Sequence, residues 1–206
     1  PWQFTFGINA VDLDADENTK FDEYFAVDEN WNVSSGLSMF TLSKYLGDNF
    51  SLGLSGSVNS ISKFADGAEF INDVKYFAGD LMLKYNLGED LNMQKMEPFV
   101  GIGLGKTWMD TQYWMTSNAS LGMNYWFSDV WGLTAQVDYK LNLSDDGRGN
   151  TAIAMNELVN AGGTYPLIDE GGSMRYSIGL SVKFGGTDTD GDGVYDKHDV
   201  CPEVPG

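Results

Sequence analysis

The sequence predicts an all-β fold: an eight-stranded antiparallel up-and-down β-barrel that crosses a membrane with its strands. Three observations predict it. Apolar residues alternate with small or polar ones over about 9 to 11 residues in one segment after another, the period of a strand whose two faces meet different media. The other parity is rich in Gly, Ser, Thr and Asn, groups that would line a narrow interior. Aromatic residues gather near the segment ends, at Trp2, Trp31, Tyr85, Trp108, Tyr113, Trp114, Tyr125, Trp126, Phe127, Trp131 and Phe184. The two interfaces of a bilayer favour rings with one oily and one wet edge.

Composition agrees. The chain has 206 residues, 42% of them hydrophobic and 14% aromatic, with Gly 25 and Pro 5. Mean hydropathy is −0.25, and no run approaches the roughly 18 apolar residues that a spanning helix needs. A formal net charge of −18 excludes nucleic acid as a partner, because binding a polyphosphate takes clustered Lys and Arg. Cations are the expected company. The single cysteine, Cys201, excludes an internal disulfide and any cysteine-rich metal cluster.

Three strands are unambiguous. In the first, Trp2, Phe4, Phe6 and Ile8 oppose Gln3, Thr5, Gly7 and Asn9. In the seventh, Trp131, Leu133, Ala135, Val137, Tyr139 and Leu141 oppose Gly132, Thr134, Gln136, Asp138 and Lys140. In the eighth, Met174, Tyr176, Ile178, Leu180, Val182 and Phe184 oppose Arg175, Ser177, Gly179, Ser181 and Lys183. Five more segments alternate with less contrast: Asn32–Thr41, Phe50–Ser60, Val74–Leu87, Pro98–Trp108 and Met115–Phe127. Within them Phe77, Gly79, Leu81, Leu83 and Tyr85 oppose Ala78, Asp80, Met82 and Lys84, and Val100, Ile102 and Leu104 oppose Gly101, Gly103 and Gly105.

Connections alternate in length, which sorts long loops to one end and tight turns to the other. A long acidic loop, "DLDADENTKFDEYFAVDEN", follows the first strand, "KYLGDN" is short, and Ser128-Asp129 reads as a two-residue turn. The brief "MDTQYW" is the exception at the long-loop end. The last loop, 142–173, is the longest, and in it "NTAIAMNELVNAGG" predicts a short surface helix with Asn150 or Thr151 as N-cap.

Lipid offers the backbone no hydrogen-bond partners, so a sheet that spans must close on itself. Eight strands close around an interior that side chains just fill. Asp80, Lys84, Asp138, Lys140, Arg175 and Lys183 then point inward, and several must pair to offset their desolvation. They form either a plugging network or the lining of an ion path; the narrow lumen favours the plug.

After the last strand comes "DTDGDGVYDKHDVCP". With Asp188 as position one, Asp190, Asp192, Asp196 and Asp199 fall at three, five, nine and twelve, Gly193 at six and the Val194 carbonyl at seven. A hard cation takes six to eight oxygens, and the glycine permits the sharp turn, so the spacing is that of an EF-hand-type calcium loop. Position twelve carries Asp where an EF-hand has Glu, and no helix-length segment follows. The alternative is an acidic solvated linker.

With its trailing Cys-Pro the same stretch is closer to a thrombospondin type-3 repeat, which it resembles over about fifteen residues. The final strand, through Ser177, Gly179, Val182 and Phe184, resembles the terminal signal read by barrel-assembly machinery, although its middle hydrophobic is aliphatic. Together, barrel and ladder resemble the OmpA-like outer-membrane proteins of the Bacteroidota type. The resemblance implies a barrel over residues 1–184 and a calcium-binding, type-3-like periplasmic linker beginning at 185–206. It implies loops outside the cell, insertion by the assembly machinery, and a further domain that grips peptidoglycan, which these residues do not contain. In the repeat family the cysteine pairs with one in a later repeat. The chain is therefore expected to continue past "CPEVPG", and Pro1-Trp2, which opens a strand directly, is expected of a mature exported chain or a trimmed one.

Catalysis by a small barrel would need a nucleophile and a base at the rim. The one histidine, His198, lies in the ladder, and the acidic pairs of the first loop (Asp12, Asp14, Asp16, Glu17, Asp22, Glu23) read as a solvated surface. The expectation is a structural, non-enzymatic anchor. A docking subunit for other outer-membrane proteins and an adhesin using the acidic loops are the rival readings.

Overall fold

A computed structural model describes residues 1–15, 27, 30–63, 69–93, 95–109, 112–143 and 172–186, together with 201 and 203. Its regular elements are β1 (Trp2–Ala15), β2 (Asn32–Val33), β3 (Met39–Gly47), β4 (Phe50–Lys63), β5 (Glu69–Asn86), β6 (Met96–Met109), β7 (Gln112–Trp126), β8 (Trp131–Asn142) and β9 (Gly172–Phe184). Every pairing is antiparallel, neighbours follow chain order, and β1 pairs with β9, so β1 and β3–β9 close an eight-stranded up-and-down barrel.

Register sets its width. A lateral walk from Lys183 through Gln3, Ser43, Gly53, Met82, Gly103, Asn118 and Lys140 regains the last strand at Ser173, ten residues from where it began. That offset is the shear of the barrel, and with eight strands it gives an interior that side chains fill.

Alternation in the sequence becomes a division between outside and inside. Phe4, Phe40, Leu54, Leu81, Ile102, Leu121, Leu133 and Ile178 are exposed on the outer wall, while Thr5, Ser55, Asp80, Asn118, Thr134, Asp138, Lys140 and Arg175 are buried within. The outward apolar run covers Phe77–Tyr85 on β5 and Trp131–Leu141 on β8, the 9 to 11 residues or so with which a tilted strand crosses a bilayer.

The segment read as one strand, Asn32–Thr41, is interrupted. Ser34 N bonds Asn9 O at 3.0 Å and Ser38 N bonds Gly7 O at 2.9 Å, so Ser35, Gly36 and Leu37 loop out between β2 and β3. "KYLGDN" is mostly strand: β3 runs to Gly47, and the turn is Asp48-Asn49 with φ of 49° and 64°. Asp and Asn tolerate that left-handed backbone, which suits a two-residue hairpin. Conversely, Ser128-Asp129 sits within a four-residue connection, 127–130, where Trp131 N bonds Ser128 Oγ at 2.8 Å.

Two of the girdle aromatics are misplaced by the sequence reading. Trp114 and Trp126 share the inward parity of β7 and are buried. Trp2, Trp108, Tyr113, Tyr125, Phe127, Trp131 and Phe184 are exposed. The helix expected within the last loop lies outside the described residues.

Candidate functional site

The barrel interior holds the candidate site, and it is built in layers. At the turn end, where the tight hairpins and both strand termini lie, Lys183 Nζ pairs with Glu97 Oε1 at 3.1 Å. The Trp126 indole donates to Glu97 Oε2 at 2.6 Å, and the Lys183 ammonium lies 3.8 Å from the centroid of that ring. Asn86 adds a bond to the same carboxylate at 3.2 Å.

A hydroxyl and amide layer follows. Thr134 Oγ1 donates to Asn124 Oδ1 at 2.6 Å, and Ser181 Oγ lies 2.7 Å from Thr5 Oγ1 and 2.6 Å from Thr134 Oγ1. These side chains come from β7, β8, β9 and β1, four consecutive strands of the wall, so the layer adds side-chain bonds to their backbone ladders across the β1–β9 closure.

Next is the charge layer. Arg175 donates through Nε and Nη2 to Asp138 Oδ2, at 3.0 and 2.8 Å, and through Nη1 to Asp80 Oδ2 at 2.7 Å and Ser57 Oγ at 3.0 Å. Lys140 pairs with Asp80 Oδ1, which also accepts from Asn118 Nδ2 at 2.9 Å. Asp138 Oδ1 accepts from Ser120 Oγ and, at 2.6 Å, from Gln136 Nε2. Two carboxylates thus face two cations with little exposure, and each carboxylate is further hydrogen-bonded. Such satisfaction is what lets ion pairs survive burial.

Room for this layer comes from β6. A Cβ on Gly105 would collide with Asp80 Oδ1, and would lie 2.8 Å from Asn118 Nδ2 and 2.9 Å from Thr116 Oγ1. Of the three glycines that alternate with Val100, Ile102 and Leu104, Gly105 is therefore the floor on which the charges sit. Towards the loop end, Val11, Ile61, Tyr76, Met109 and Trp114 form a buried, largely apolar layer. Asn9, Asn32 and Asn59 are bonded around it: Asn59 Nδ2 donates to Asn9 Oδ1 and to Asn32 O, both at 2.8 Å.

Of the six interior residues named from the sequence, Asp80, Asp138, Lys140 and Arg175 meet in one cluster. Lys84 stands beside it, donating to Gln136 Oε1 at 2.6 Å with its ammonium 4.4 Å from the Phe99 ring centroid. Lys183 is apart, at the turn end. Glu97, Gln136, Asn118, Ser120 and Ser57 were missed as partners. The signal for them is parity: each falls on the inward side of its strand.

The ladder residues Asp188, Asp190, Asp192, Val194, Asp196 and Asp199 lie outside the described residues. Among the described residues, no group of three or more His, Cys, Asp or Glu side chains is placed to hold a metal ion.

The closed eight-stranded barrel defines a structural class, and solved structures share this fold. The chain is similar to Neisserial surface protein A at 14% identity, covering 89% of this chain and 96% of that one with a TM-score of 0.51. The N-terminal β-barrel domain of Pseudomonas aeruginosa OprF aligns at 12% identity, 88% and 97% coverage and a TM-score of 0.47. Escherichia coli Outer Membrane Protein W aligns at 13%, 89% and 97%, and 0.45. At such identity the likeness to the Neisserial protein is one of fold alone. No family model and no curated protein matches the chain by sequence.

Proposed function

We propose that the chain is a non-enzymatic anchor in a bacterial outer membrane, its barrel plugged, its loop end outside the cell and its C-terminal linker in the periplasm. One observation carries this: the wall is apolar outward around the whole circumference, while the interior is charged, paired and packed. A soluble sheet would place those faces the other way round. Buried layers lie above and below the ion pairs, which favours a plug over an ion path.

The linker role rests on the ladder's spacing. Asp188, Asp190, Asp192, Asp196, Asp199 and the Val194 carbonyl would hold a calcium ion, whose positive charge turns mutually repelling carboxylates into a stiff spacer. The barrel-assembly machinery is the expected partner during insertion, and peptidoglycan is the expected partner of a following domain.

Reconstitution tests the reading. The purified chain should float with phospholipid vesicles, resist alkaline extraction, and give no steady conductance across a planar bilayer. A large, steady conductance would overturn the plug, and failure to float would overturn the anchor.

A further inference from the structure

The outer wall carries few cations. Among the described strand residues, those facing outward are Lys44 at the turn end, and Lys75 and Lys106 at the loop end. Lys106 is the one set into the apolar band, two residues beyond Leu104, which is exposed on the same face. Its ammonium lies 4.1 Å from the Tyr113 ring centroid and 5.4 Å from that of Trp108. The side chain therefore climbs towards the strand end between two exposed rings, keeping its stem on the wall and its charge at the interface. Among the described residues it makes no ion pair.

Beside it the wall is bare. Gly79 is the cross-strand partner of Lys106, and a Cβ built there would meet only Trp108 Cζ3, at 3.9 Å. Its neighbour Gly56 is different: a Cβ there would lie 2.5 Å from Phe40 Cζ, so that outward space is filled. The recess over Gly79 is thus open, rimmed by Phe77, Leu81 and Trp108, with Lys106 along one edge. Lys75 is exposed on the same face of β5, nearer the loop end than Phe77.

We propose that this face, resting on the membrane reading given above, is a binding site for a lipid with an anionic phosphate headgroup in the leaflet at the loop end. The phosphate sits against the Lys106 ammonium at the height of Trp108 and Tyr113, and one acyl chain lies in the recess over Gly79. A cation desolvated on one side by rings and lipid gains from a counter-charge, and a zwitterionic headgroup already balances its phosphate with its own ammonium. Lys44, whose ammonium lies 5.3 Å from the Trp2 ring centroid at the opposite rim, has no such recess assigned and serves as the control.

Native mass spectrometry of the full chain, released from micelles holding equal phosphatidic acid and phosphatidylcholine, reads the selectivity. The parent chain is expected to retain phosphatidic acid preferentially. Lys106→Gln should lose roughly fivefold of that preference, the effect of one lysine near a charged surface, while Lys44→Gln keeps it. Equal retention by parent and Lys106→Gln, or an equal loss in Lys44→Gln, overturns the site. Should Lys106→Gln not fold, Gly79→Leu keeps the charge and fills the recess; it should lower retention, and unchanged retention overturns the proposal. Flotation with vesicles is scored first, so that a chain which never enters a membrane sinks the anchor reading rather than this one.

Discussion

Arg175 grips Asp138 with two nitrogens on a single oxygen, at 3.0 and 2.8 Å, while its third nitrogen reaches across the lumen to Asp80 at 2.7 Å. One planar side chain on β9 thereby links β8 and β5, strands that are not neighbours on its far side. No lysine could do this, since an ammonium is a point charge without a fork.

Removing that fork should therefore be costly. Arg175→Met leaves Asp138 buried with only neutral donors, and the expected loss is about 3–5 kcal/mol. Arg175→Lys keeps the charge but cannot span both carboxylates, and should lose about 1.5–3 kcal/mol. Urea unfolding of the barrel in phospholipid vesicles, followed by tryptophan emission, measures both.

Gly105 on β6 and Gly79 on the adjacent β5 point to opposite sides of the wall. Gly105→Ala puts a methyl into Asp80, Asn118 and Thr116 and should destabilise by about 1–3 kcal/mol, as overpacking does. Gly79→Ala meets open space outside and should stay within about 0.5 kcal/mol of the parent. The same unfolding assay separates them; equal effects would mean the charge layer is not seated on β6.

Tryptophan position distinguishes wall from filling. In single-tryptophan variants, brominated lipids should quench Trp2, Trp108 and Trp131, which are exposed on the wall, and spare Trp114 and Trp126, which are buried inside. Quenching of Trp126 would break its assigned contact with Glu97.

The architecture was legible in the sequence because lipid imposes period two on every strand, so strand number, closure and inward charges could be read by counting. What parity could not convey is distance around the barrel. Arg175 meets Asp80 across the lumen, four pairings away around the wall, where the lateral walk through Asp138, Ser120 and Gly101 leads instead to Lys84, and no local pattern encodes that contact. Lys183 shows the same limit: its parity matches that of Arg175, yet it sits near Glu97 in a different layer. The Ser35–Leu37 excursion was invisible for another reason, since Ser and Gly fit a strand or a loop equally well. Trp126 was misassigned because an aromatic near a strand end suggested an interface, although its place in the alternation pointed inward.

The carboxylate ladder makes a separate prediction. Calorimetric titration of the full chain with calcium should show one saturable site that Asp190→Asn with Asp192→Asn weakens at least tenfold, about 1.4 kcal/mol, leaving barrel unfolding in urea unchanged. Heat without saturation, or no effect of the substitutions, would leave an acidic linker.

The most direct test of the inside-out barrel is folding with and without an amphiphile. Chain diluted from urea into phospholipid vesicles should gain β-sheet circular dichroism and a mobility on gels that changes on boiling. In plain buffer it should aggregate or stay unfolded. A monodisperse, folded monomer in plain buffer would contradict the account.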